Sequence, residues 1–358
     1  MILKTMSIPF IAGILLAQQS VGRVDLLKQV DELQSAVEAG DWKAAKQRSQ
    51  ELRENLRAAR TEAFRSANSE LTESVLNWLP PDTETVIVAQ EPFPLAARGS
   101  GSLRMAQGGY VTGLMRAVEE GKLARLLSDN LIRLAVVGAR QFAIPASGTG
   151  NRIPFGIIAY QGCAAYFFDR PLSDSTFQRS ADELMMGRPV WMSKGSQNEG
   201  PSKDMFSVIL KPELLLICND RSFMSETIAR STAPASNRAL PVNLLEWKMV
   251  DRSSSLRAIR HYRADRVRVD PSRTMIRLPD GVAGLTLEIN ASGHIKARML
   301  SPSDPWQDVV SSPDSARHAT SRETTKGTWE LSIGDANFET TQFAVFAIMA
   351  MLGLVFFI

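Results

Sequence analysis

The chain is poor in the residues that usually announce a chemistry: its 358 residues hold two cysteines and three histidines. Cys163 and Cys218 alone exclude a disulfide-dense scaffold and any four-thiolate zinc site. His261, His294 and His318 have no second His or Cys at ligand spacing, so they read as exposed surface histidines and no metal or other cofactor is expected. The sequence contains no Gly-x-Ser-x-Gly elbow, Ser-x-x-Lys pair, His-Glu-x-x-His motif or Walker loop. A net charge of +3 is too small to imply a nucleic-acid partner, and none is expected. Charged residues at 22% and hydrophobic residues at 44% are ordinary for a globular chain with a substantial core.

Long uncharged runs are present at both ends. Lys4 precedes a mostly apolar stretch from Thr5 to Ala17, the pattern of a secretory signal peptide over 1–17 and too short for a comfortable span. From Phe343 to Ile358 sixteen residues carry no charge, and Thr340, Thr341 and Gln342 extend the run toward a membrane interface. At about 1.5 Å per residue the run approaches the thickness of a hydrocarbon core. With no polar face to meet water, 341–358 is expected to be a transmembrane helix. The bulk of the chain is then placed on the periplasmic side of a bacterial inner membrane, with a glycolipid-attachment signal as the eukaryotic alternative. An oxidising compartment would allow Cys163 and Cys218 to pair, but both sit in apolar runs, and two buried free thiols are the simpler expectation.

Between the ends the texture changes twice. Leu26, Val30, Leu33 and Val37 repeat at helical spacing, Gly40-Asp41 breaks the run, and Trp42, Ala45, Leu52, Leu56 and Ala59 resume it. Residues 18–80 are therefore expected to form an antiparallel helical hairpin or arm. Its turn "EAGDWKAAKQRSQEL" resembles the inter-helix turn of a tetratricopeptide repeat, and "SELTESVLNWL" is read as a third helix. A single such unit implies a stalk or packing arm rather than a peptide-binding array.

After Pro81 strands dominate. "DTETVIVAQ" and "LIRLAVVGARQF" read as strands, "VTGLMRAVEEGKLARLL" as an amphipathic helix. "FGIIAYQGCAAYFFDR" reads as a hairpin turning at Gln161-Gly162, followed by the helix-like "DSTFQRSADELMM". "FSVILKPELLLICNDR" reads as a second hairpin, followed by the helix "SFMSETIAR". Two β-β-α units predict an α+β domain over 81–235 with an antiparallel sheet. A β-rich extension is expected over 236–334, with a hairpin in "GLTLEINASGHIKARML", a polar loop or linker from Ser301 to Lys326 and a last strand in "TWELSIGDA".

"LNWLPPDTETVIVAQEPFPL", followed by paired strands ending in "LLLICNDRSFMSETIAR", resembles the DUF3352-like group of uncharacterised bacterial envelope proteins, with their Leu-Pro-x-Asp-Thr opening. The resemblance implies fold and exported location and carries no catalytic residue. "PDTE" lacks the glycine of an aspartic-protease loop, and Asp82 is expected to bond local backbone in a turn. "ARGSGSLRMAQGGYVTGL" lacks the ending of a phosphate loop and reads as a flexible segment.

One charge cluster rises above background, between Arg252 and Arg277. Arg257, Arg260, Arg263, Arg266 and Arg268 are candidate binding residues for anionic lipid or an acidic envelope protein, with a solvated strand face as the plainer reading. The expected function is a non-catalytic binding or structural component of the cell envelope. An extracytoplasmic, hydrolase-like enzyme with a dispersed site is the alternative.

Overall fold

A computed structural model describes residues 21–90, 132–142, 159–172, 180–193, 204–233, 237–262, 281–290, 294–311 and 319–333. Several expectations fall outside these residues: the signal segment 1–17, the apolar tail 341–358, the glycine-rich segment, the helix proposed over 111–127, Arg263, Arg266, Arg268 and His318. The chain divides into two compact units, residues 1–71 and 72–358.

The first unit holds α1 (Val21–Glu38) and most of α2 (Trp42–Trp78). Gly40 makes the turn at φ +71°, and Asp41 accepts from the Ala44 amide at 3.0 Å to cap α2. Leu26, Ala36, Ala45 and Leu52 are buried, and Asn55 donates to Gln29 at 2.9 Å across the pair. The expected third helix is not separate. Nothing between Trp42 and Trp78 is Gly or Pro, so α2 runs on through "SELTESVLNW" for 37 residues.

The second unit contains a mixed helix-and-strand fold built on one large antiparallel sheet. Its strands are β1 (Thr85–Gln90), β2 (Ile132–Phe142), β3 (Ala159–Phe168), β4 (Glu183–Met185), β5 (Arg188–Ser193) and β6 (Met205–Lys211). After them come β7 (Leu214–Cys218), β8 (Leu256–His261), β9 (Gly284–Ile289), β10 (Ile295–Leu300), β11 (Ala319–Thr325) and β12 (Thr328–Ile333). The spatial order is β11-β12-β10-β9-β8-β1-β2-β3-β7-β6-β5-β4. Among the described residues this unit also holds the end of α2 and the helices α3 (Arg221–Thr232), α4 (Glu246–Met249) and α5 (Gln307–Ser311).

The order conceals a duplication. β1-β2-β3-β7-β6 and β8-β9-β10-β12-β11 are the same arrangement: a three-strand meander, then a hairpin whose second strand returns beside the third. β1 and β8 pair antiparallel at the junction, so the halves are related by an approximate two-fold axis normal to the sheet. The two β-β-α units expected over 81–235 are a different repeat, and the first of their hairpins does not form. β3 runs straight through Gln161-Gly162, pairing with β2 from Phe142↔Ala159 to Ile132↔Phe168. Gly162 serves close packing, since a Cβ there would press on the Gly138 carbonyl. Glu183–Met185 within the expected helix is strand β4, and the polar stretch from Ser301 to Lys326 contains α5 and β11. The hairpin at Pro212-Glu213, the helix after it and the β9–β10 pairing stand as expected.

Strand alternation sorts side chains onto two faces. One face is apolar across the sheet: Ile217, Ala164, Val137, Ile87, Ala258, Leu287, Ala297 and Leu331 form a cross-strand row and belong to a single buried cluster with Trp306. The opposite face changes character at the junction. Its row begins Val208, Leu216, Ala165, Val136, Val88 and continues Arg257, Glu288, Lys296, Ser332, Thr320. The apolar half carries α3, whose Phe223, Met224 and Ile228 are fully buried, and Leu79, which packs where a Cβ on Gly138 would sit. The charged half carries α4.

Cys163 and Cys218 lie directly opposite each other on β3 and β7 and form a disulfide, with Cα atoms 4.1 Å apart. The Asn219 amide bonds the Gly162 carbonyl in the neighbouring pair, which makes the cysteine pair a non-hydrogen-bonded one with side chains close enough to bridge. The expected free thiols are absent because register, invisible in the sequence, aligned them.

Candidate functional site

The charged half of the sheet is where polar side chains converge. Arg298 of β10 donates from Nε to Glu330 at 2.8 Å and from Nη1 to Glu288 at 2.9 Å. Arg322 reaches the other Glu330 oxygen at 2.8 Å, and the Asp251 amide donates to Glu288 at 2.8 Å. Arg298 Nη1 also meets the Met249 carbonyl, tying the end of α4 to the sheet. Burial alone would raise the Glu330 carboxyl, but hydrogen bonds from Arg322 and Arg298 and the nearby Arg298 and Lys296 charges hold it below the usual range.

A second arrangement sits at the other end of β8. Glu246 is buried, and its carboxylate lies 2.8 Å from His261 Nδ1. A carboxylate acceptor sets the imidazole with its proton on Nδ1. Gly284, paired with His261 on β9, makes room: a Cβ there would overlap Glu246 Oε1. Gly284→Ala is therefore expected to cost about 1–3 kcal/mol by overpacking, read by urea unfolding. Adding Glu246→Ala should recover part of that loss, and an unchanged midpoint for Gly284→Ala would mean that the carboxylate lies elsewhere.

A third set links the start of β1 to α3. Arg140 grips both oxygens of Asp82 at 3.0 Å and donates to Gln161 at 2.9 Å, and Gln161 donates to Asp220 at 2.9 Å. Asp220 also caps α3 through the Phe223 amide at 2.8 Å, and the Arg140 guanidinium stacks 5.2 Å from the Phe223 ring. Asp82 thus receives a long-range guanidinium in addition to its place in a turn.

The arginines singled out from sequence separate in space. Arg257 and Arg260 are 5% and 6% exposed and project from opposite faces of β8. Arg257 donates to the Arg252 carbonyl at 2.7 Å, and burial and the Arg252 charge push its guanidinium down to about 10, against the pull of Asp251 and Glu73. Arg260 stacks 4.8 Å from the Tyr262 ring. Neither offers its charge to a membrane surface, so the anionic-surface reading rests on Arg263, Arg266 and Arg268. His261 is no free surface histidine, and His294 Nε2 lies 3.2 Å from the Ser332 hydroxyl.

Chemically, an imidazole backed by a carboxylate is equipped to move a proton. Among the described residues, no nucleophile hydrogen-bonds His261 Nε2. No three His, Cys, Asp or Glu side chains among the described residues group to hold a metal ion. Sequence reasoning missed Glu246, Glu288, Arg298, Glu330 and Arg140. A signal existed for two of them: Arg298 and Glu330 interrupt "IKARML" and "TWELSI" at the non-apolar parity of half-buried strands. No protein-family model matches the chain, and no curated protein matches it.

Proposed function

We propose that this is an exported, membrane-tethered envelope protein of the DUF3352-like kind, whose sheet domain is a non-catalytic binding or structural platform on the periplasmic side of the inner membrane. The Cys163–Cys218 disulfide carries the reading. Such bonds persist outside the reducing cytosol, in agreement with the signal-like residues 1–17. The charged half of the sheet supports a structural role, because Arg298, Glu288, Glu330 and Arg322 bond one another. No helix among the described residues is long and apolar enough to cross a membrane, which leaves tethering to 341–358.

Fractionation tests the reading. The full chain should pellet with membranes and show no free thiol until reduced, and deletion of 341–358 should release it into the periplasmic fraction. Free thiols in the intact protein, or recovery in the cytosol, would overturn it. Glu246–His261 favours a second reading, a hydrolase-like enzyme. That reading requires a hydrolytic activity on ester substrates that His261→Gln abolishes while the unfolding midpoint stays put.

A further inference from the structure

The segment between Leu240 and Arg252 is held to the sheet and yet turns apolar side chains outward. Its inner side is pinned by Glu246 beneath His261, by Arg298 on the Met249 carbonyl, and by the Asp251 amide on Glu288. Trp247 is folded back: its indole donates to the Leu240 and Pro241 carbonyls at 3.1 Å, and the Arg238 guanidinium lies 5.0 Å from its ring. Leu240 is buried at φ +48°, a conformation that a branched residue keeps only where surrounding contacts impose it. On the outer side Val242 is 69% exposed and Leu245 is 57% exposed, with Pro241, Asn243, Lys248 and Arg252 exposed around them. Two large apolar side chains on a pinned loop that also exposes Lys248 and Arg252, with Asp251 as the exposed anion beside them, match the composition of interfacial membrane contacts.

Position agrees with composition. Leu256, Ile289, Ile295 and Ile333 form one cross-strand row, so β12 ends three strand spacings, or about 15 Å, from the start of β8. Glu246 sits over the opposite end of β8, about 17 Å further along the strand. Nine residues, 334–342, separate Ile333 from the apolar run, and they reach at most about 30 Å. A tail anchored in a bilayer would therefore hold this loop within reach of the same surface.

We propose that the loop 240–249 is a lipid contact: Val242 and Leu245 enter the headgroup region of an anionic membrane, and Lys248 and Arg252 meet its phosphates. The proposal rests on the tethered reading of the tail. Glu246 and His261 act as the hold-down that keeps the loop presented, which gives the buried pair a role that needs no reaction.

The full chain carrying Leu245→Cys, labelled with an environment-sensitive nitrobenzoxadiazole and reconstituted into phosphatidylglycerol-containing vesicles, tests this. Emission should shift to the blue and fall about twofold or more when lipid bearing a headgroup-depth nitroxide is included, as for an interfacial side chain. The same probe at Thr324→Cys, on the exposed edge strand, should not respond. Carbonate extraction reports the tail separately: protein released by carbonate but quenched at position 245 keeps the loop proposal and sinks tethering. Retained protein with an unquenched probe overturns the proposal. A blue shift that grows with protein concentration and ignores the nitroxide overturns it too, because a second copy would then cover the loop.

Discussion

Replacing Cys163 and Cys218 together with alanine is expected to destabilise the sheet unit by about 2–4 kcal/mol. The bridge closes a sequence separation of 55 residues, for which the chain-entropy relation returns about 4 kcal/mol as an upper figure. Both cysteines are buried, between Gly138 on one side and Phe206 on the other, so the alanines also forfeit packing at the middle of the sheet. For a unit of this size that corresponds to a fall in Tm of about 10 °C. Thermal unfolding with and without reductant checks the origin of the loss. Reductant should lower the Tm of the natural chain toward that of the double variant and leave the variant itself unmoved. A natural chain indifferent to a strong reductant under unfolding conditions would show that the two thiols never pair.

Arg298→Ala should be the most damaging single change on the charged half of the sheet, at about 3–5 kcal/mol. It strips the guanidinium from Glu288, leaving it the Asp251 amide, and one of two guanidinium partners from Glu330, so carboxylates with side chains 11% and 4% exposed are left short of counter-charge. It also frees the Met249 carbonyl and loosens α4. Arg322→Ala touches the same Glu330 from a side chain that is 72% exposed and should cost less than about 1 kcal/mol. Equal losses for the two variants, measured by urea unfolding, would contradict the burial assigned to the pair. The pH dependence supplies a second check. Glu330 has a folded-state value held below its unfolded one, so its contribution is present above about pH 4.3 and is lost as pH falls through the lower folded value. Arg298→Ala removes one cause of that lowering, so the variant should lose less stability on acidification than the natural chain does.

Much of the local structure was legible because it obeys period. Val86 to Val88 form an apolar run, and "GLTLEI" and "IKARML" alternate. The Gln161-Gly162 pair misled for a physical reason. A glycine beside a polar residue is a turn signal in isolation, but β2 offers Gln161 a partner in Arg140 and gives Gly162 a close contact at Gly138. Pairing over the length of β3 outweighs the local preference. The Met186-Gly187 turn between β4 and β5 was hidden in the opposite sense, since a methionine at φ +52° carries no turn signature.

By itself, the sequence determined the class of the fold, the helical arm, most strands and the apolar character of both ends, since each depends on residues close together along the chain. The tertiary structure alone decided what rests on register between distant strands. Val88 meets Arg257 across the junction of the two halves, Cys163 meets Cys218 across 55 residues, and Arg298 stands between Glu288 and Glu330. A shift of one residue at the β1–β8 junction would turn the charged row toward the apolar core, and a shift between β3 and β7 would part the cysteines. Burial of both faces is what selects the register, and that selection is a property of the assembled sheet rather than of any strand within it.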